Sequence, residues 1–196
     1  MRLHLSGAAV VALLLLDACA SAPTHYYTLS AAGTAAVGST TTLQRGVVLS
    51  TASIPDLVDR MQLVVRQSAT RVSIAEAQQW AQPLRDQIPA IIVRNLRLQL
   101  GSSNVAGDAR LVAGNAPLKV VVNIEQFDAV AGSNVSVRAR WAISGGGGTA
   151  APLIDGLDVT LPLAGAGFDA IVEGWSKALA AISVALATSL QTYAAQ

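Results

Sequence analysis

Residues 168–193 constrain this chain more than any other stretch. Phe168, Trp175 and Ile182 recur every seven residues, and so do Val172, Leu179, Leu186 and Tyr193. The spacing predicts one long helix from about Phe168 to Tyr193 with a continuous apolar stripe, which must be buried against a sheet or another helix. Asp169 and Glu173 lie in its first turns, where the helix dipole favours negative charge. Glu173 and Lys177 form an i,i+4 pair. The remaining face is rich in alanine and serine, which suits either a bland solvent face or a second packing surface.

The partner for that stripe is legible upstream. Leu118–Ala129 reads as a long strand, and Ser133–Ser144 alternates as its hairpin partner, with Gly132 in the turn. Arg138 and Arg140 share one strand face; Val137, Ala139 and Trp141 share the other. Further strands are predicted at His25–Ser30, Val47–Ile54, Gln62–Gln67, about 70–74 and Asp158–Leu163. The stretch "DLVDR" after Pro55 reads as a turn or short helix. Residues 31–42 and the "GGGGTAAP" stretch read as loops.

A second helix follows Pro83, with Leu84, Ile88, Ile91, Ile92 and Leu96 at helical spacing and Gly101 as its stop. Pro89 removes a helical hydrogen bond at a cost of about 3 kcal/mol, so a kink there or a later helix start is predicted. Strands and helices mix along the chain. The class is therefore α/β: a sandwich of a mixed β-sheet and two main helices in a single domain.

The amino terminus reads differently. Met1–His4 is short and basic, and Gly7–Leu16 is apolar without interruption. That run is about half the ~20 residues a membrane-crossing helix needs, and small residues follow it, as in a secretory signal peptide. No later apolar run is long enough to span a bilayer. Leu16-Asp17-Ala18-Cys19 is similar to the lipobox of bacterial lipoproteins. In that chemistry the cysteine thiol receives a diacylglycerol, the signal is cut before it, and the new amine takes a palmitate-type acyl chain. Asp17 departs from the small residue usual at its position. Cys19 is the one cysteine of the sequence, so no disulfide is available and stability must come from the core. The expected organisation is a signal peptide at 1–18, a tether at 19–24 and one domain at 25–196.

Charge and chemistry narrow the function. The formal net charge is +1, without the clustered basic face that nucleic acid demands. Once a signal is removed, His25 is the one histidine left to serve as a Ser–His–Asp base, and an ordinary strand-edge residue is the expectation. No His, Cys or carboxylate grouping has zinc-like spacing. The near pairs Asp56/Asp59, Glu125/Asp128 and Asp155/Asp158 read as solvated turns and strand ends rather than a glycosidase pair. Gly145–Gly148 lacks the Lys-Ser/Thr ending of a phosphate-binding loop. Trp80 and Trp141 are expected in the core, and so is one ring of the Tyr26/Tyr27 pair. No catalytic residue, metal site or cofactor is expected.

Several motifs together resemble the ABC-type transport auxiliary lipoproteins, the PqiC-like family. They are the lipobox cysteine, "YYTL" at 26–29, "VVLSTASIPDLVDRMQLVVR" at 47–66, "WAQPL" at 80–84, "NLRLQLG" at 95–101, the "VVVNIEQFDA" strand and the final helix. The resemblance implies a non-catalytic lipoprotein acylated at Cys19 and held at the periplasmic face of the outer membrane. It implies partnership with an inner-membrane ABC permease and ATPase and an MCE-domain protein that move lipid between membranes and maintain membrane integrity. It also admits homo-oligomeric rings. A pilotin-like assembly lipoprotein and an envelope hydrolase are the competing classes, the hydrolase disfavoured by the missing catalytic groups.

Overall fold

The computed structural model describes residues 23–32, 43, 45–114, 116–145 and 151–195. Cys19, the signal segment, most of the 31–42 loop and the core of the glycine stretch lie outside the described residues. The elements run β1 (His25–Tyr27), β2 (Val47–Ser53), β3 (Gln62–Arg66), β4 (Val72–Trp80), α1 (Leu84–Leu100), β5 (Val105–Ala106), a 3-10 turn (Ala109–Leu111), β6 (Leu118–Val130), β7 (Asn134–Gly145), β8 (Leu153–Pro162) and α2 (Phe168–Ala194).

Strand β6, 13 residues long, is the axis of one mixed sheet. One of its edges pairs antiparallel with β7 along nearly its whole length, and β7 pairs in turn with β8. The other edge is shared. Its first half pairs parallel with β2, which carries β5 outside it. Its last residue, Val130, pairs with Arg66 of β3, and β4 and then β1 continue the sheet outward. The sheet therefore forks at β6, which lets one long strand hold two short branches.

The inward residues follow the period of a strand. Leu118, Val120, Val122 and Ile124 are buried, and after a register shift between Ile124 and Gln126 the buried positions become Phe127 and Ala129. A bulge of this kind adds one residue and moves the alternation to the other parity. On β7, Val135, Val137, Ala139, Trp141 and Ile143 face the same way. The hairpin between them closes through Ala131–Ser133, where Gly132 has φ 68°, a conformation glycine adopts without steric cost.

Helix α2 packs its stripe on this surface: Trp175, Leu179, Ile182 and Leu186 are buried. By length and composition α2 could cross a membrane, although no single apolar run in it is long enough. Its surroundings explain the apolarity otherwise. The alanine and serine face is a second packing surface, with Ser176, Ala180, Ser183 and Ala187 buried, and α1 is its partner. There the Asn95 amide donates to the Ser183 hydroxyl at 3.4 Å. Small side chains allow the two helices to approach closely. Gly174 does the same against the sheet: a Cβ there would lie 2.9 Å from Leu163 Cδ2 and 3.0 Å from Val135 Cγ2. Gly174→Val is expected to lower stability by about 1–3 kcal/mol through overpacking, measured by urea unfolding. An unchanged midpoint would mean that this close approach is not a constraint.

Helix α1 is continuous from Leu84, directly after Pro83, to Leu100, with Pro89 inside it, so the helix does not wait for that proline to start. The missing Pro89 N–H leaves the Arg85 carbonyl without its helical donor; burial of Ile88, Ile91, Ile92 and Leu96 offsets that loss. Gly101 ends the helix in the left-handed region at φ 59°, with its N–H donating to the Arg97 carbonyl. Two strands are longer than the sequence pattern suggests. Strand β4 extends through "AEAQQW" to Trp80, and β8 begins at Leu153 rather than Asp158. Segment 105–111, with β5 and the 3-10 turn, gives no clear signal in the sequence.

Candidate functional site

The residues singled out in the sequence are dispersed. His25 is exposed on the edge strand β1. Asp59 pairs with Arg85 at 2.8 Å, Asp128 with Arg66 at 3.1 Å and Asp158 with Arg138 at 2.8 Å. Asp155 accepts a hydrogen bond from the Ser189 hydroxyl at 2.8 Å. Each of these carboxylates thus ties one element to another. Among the described residues, no three His, Cys, Asp or Glu side chains come together as a metal-binding group. Trp80 and Trp141 are in the core at 1% and 2% exposure, and the tyrosines divide: Tyr26 is 66% exposed, Tyr27 partly buried.

Tyr27 joins the amino-terminal strand to the body. Its hydroxyl donates to Gln78 Oε1 at 2.6 Å, and its ring lies 6.3 Å from that of Phe168. Burial, and secondarily the charge of Asp169, push its phenol above the ordinary value of 10.0. The folded pKa is therefore above the unfolded one. Its contribution to stability is complete below the unfolded value near 10 and is lost as pH rises through the folded value. Thermal melts above pH 10 are expected to fall more steeply for the wild type than for Tyr27→Phe. Parallel pH profiles would contradict this role.

Two surface features are not apparent in the sequence. The first is an apolar row on the sheet face turned away from the helices. Val121, Ala142 and Ile154 are cross-strand neighbours on β6, β7 and β8, and Val121 and Ile154 are exposed. Arg140 borders this row with its stem laid over β8, where Gly156 leaves the space; a Cβ at Gly156 would be 2.4 Å from Arg140 Cδ.

The second is an open cavity of about 420 Å³ at the end of the sheet where β3, β4, β6 and the start of α2 meet. Val65, Val130, Phe168 and Ile171 give it an apolar floor, and Arg66, Gln67, Arg71 and Ser73 give it a polar side. Arg66 is fixed in place: Nη2 donates to Asp128 Oδ1 at 3.1 Å, and Nη1 donates to the Ala69 carbonyl at 3.2 Å. The other Asp128 oxygen accepts from Gln126 Nε2 at 2.9 Å.

The fold is a two-layer α/β domain in which Asp59, Asp128, Asp155 and Asp158 join one element to another. The chain belongs to the ABC-type transport auxiliary lipoprotein component family, whose model matches residues 27–187. It is similar in fold to a crystal structure of an uncharacterised protein, with a TM-score of 0.71 at 20% identity over 86% of this chain and 99% of that one. It is also similar to a crystal structure of a Xanthomonas campestris protein of the DUF330 family, with a TM-score of 0.69 at 13% identity over 88% of this chain and 100% of that one. Comparison with curated proteins returns no match.

Proposed function

We propose that this protein is the outer-membrane-anchored, non-catalytic subunit of an ABC/MCE-type system that moves lipid between two membranes. The single observation carrying this reading is the family match across residues 27–187. Physical chemistry supports it. A lipid tail crossing water exposes apolar area at about 25 cal/mol per Å², so the path must be enclosed. An enclosing tunnel of MCE-domain protein needs a fixed landing point at the far membrane. A body tethered through Cys19 by about six residues stays within about 20 Å of its anchor, on the periplasmic side. In this reading ATP hydrolysis belongs to the inner-membrane partner, and the present domain acts as a docking collar. Two acyl chains or more hold a protein stably in a bilayer.

Deleting the protein is expected to slow transfer of isotope-labelled phospholipid between the membranes and to sensitise cells to detergent. Complementation with the Cys19→Ala form is expected to fail. Unchanged transfer and unchanged detergent resistance in the deletion strain would refute the proposal.

A further inference from the structure

The cavity at the end of the sheet has the make-up of a ligand site. Its volume of about 420 Å³ falls within the roughly 300–1,000 Å³ typical of small-molecule pockets. Its lining is divided by chemistry. Phe168 and Ile171 from α2, with Val65 and Val130 from the facing strands, form the apolar part. Arg66 and Arg71 stand together on the other side, because Arg66 pairs with Val72 in the β3–β4 ladder.

The two arginines are not equivalent. Arg66 is bound to Asp128 and to the Ala69 carbonyl, so its charge is largely balanced and its guanidinium is held in one place. A guanidinium carries five N–H donors, so Arg66 keeps donors beyond those two bonds. Arg71 has no acceptor for its side chain among the described residues, while its backbone carbonyl accepts from Gln67 and Ser68 and fixes the turn beneath it. One pre-positioned fork and one unbalanced positive charge thus face an apolar floor.

We infer that this cavity binds the anionic head of an amphiphile, a phosphate or carboxylate group carrying the first part of an alkyl chain. Arg71 supplies the charge, Arg66 the oriented donors, and Phe168 and Ile171 the surface for the chain. The volume suits a head and a short length of chain, so the rest of a long tail extends outside. The head could come from a membrane lipid or from a free phosphate, and the two differ in whether the apolar floor contributes.

Calorimetric titration of the full chain in maltoside micelles tests the inference, with lysophosphatidic acid, lysophosphatidylcholine and inorganic phosphate as probes. Lysophosphatidic acid is expected to bind one to one, with Arg71→Gln weakening it by about tenfold or more, as loss of a hydrogen bond to a charged group requires. Ser73→Trp, which fills the cavity from a strand position, is expected to abolish binding while the thermal melt remains cooperative. Inorganic phosphate binding as tightly as lysophosphatidic acid, and equally sensitive to Arg71→Gln, would support the anion site and assign it to free phosphate. Three results would overturn the inference: no binding of either anion, equal binding of lysophosphatidylcholine, or binding unaffected by both substitutions. The titration requires no ATPase or permease, so its outcome is separate from that of the transport proposal.

Discussion

Trp175→Ala is expected to destabilise the domain by about 3–5 kcal/mol. Trp175 is 1% exposed and lies at the junction of both layers. Its ring stacks on Phe127 at 4.7 Å and 20°, and meets Trp80 at 5.7 Å. Its indole N–H donates to the Asp128 carbonyl at 3.0 Å. Alanine would open a cavity bounded by α2, β6 and β4, remove two ring contacts worth about 0.5–1.5 kcal/mol each, and leave a backbone carbonyl without its donor. Against a total stability of about 5–15 kcal/mol, that loss is large. In a domain of this size it corresponds to a melting temperature lower by roughly 10 °C. Trp175→Phe is expected to lose less, since it keeps most of the stacking and forfeits the N–H. A shift under about 1 kcal/mol for the alanine variant would show that the aromatic cluster is not the centre of the core.

Cys19→Ala is expected to have the largest effect on location. The alanine variant has no thiol to take a diacylglycerol, and the lipoprotein peptidase acts only after that step. Intact-mass spectrometry should find the variant as an uncut precursor without lipid, and the wild type as a chain beginning at Cys19 with acyl chains attached. In the proposed lipoprotein form each buried methylene contributes about 0.8 kcal/mol, so losing the chains would remove stable anchoring. A wild-type protein free of lipid would contradict the anchor directly.

The elements legible in the sequence are those whose side chains repeat with one period. The seven-residue recurrence of Phe168, Trp175 and Ile182 gives α2, and strict alternation in Val135–Ile143 gives β7. Gly101 marks the stop of α1 and Gly132 the β6–β7 turn, through backbone conformations that other residues reach at a cost. Strand β4 is harder to see because "AEAQQ" contains no β-branched or aromatic residue; its pairing with β3 and β1 decides its conformation. The start of β8 is hidden by Asp155 and Gly156, which read as loop until Ser189 and Arg140 are placed beside them. Burial of the Ala/Ser face of α2 depends on where α1 lands, which no local pattern encodes.

The cavity was not legible for the same reason. Its lining comes from segments 65–73, 130–131 and 166–171, and none carries a recognisable motif alone. Arg66 and Arg71 look like ordinary hairpin charges until the end of β6 and the first turn of α2 are placed beside them. Sequence resemblance conveyed the family; the arrangement of its surfaces required the fold.

In the proposed function this domain works attached to an ABC transport system. Affinity purification of the full chain from cross-linked native membranes, with the co-purified proteins quantified by mass spectrometry, tests it most directly. The expected result is stoichiometric enrichment of one ABC ATPase, its permease and an MCE-domain protein, retained in the Arg71→Gln variant and lost with Cys19→Ala. Recovery of intact, acylated protein with none of these three would contradict it.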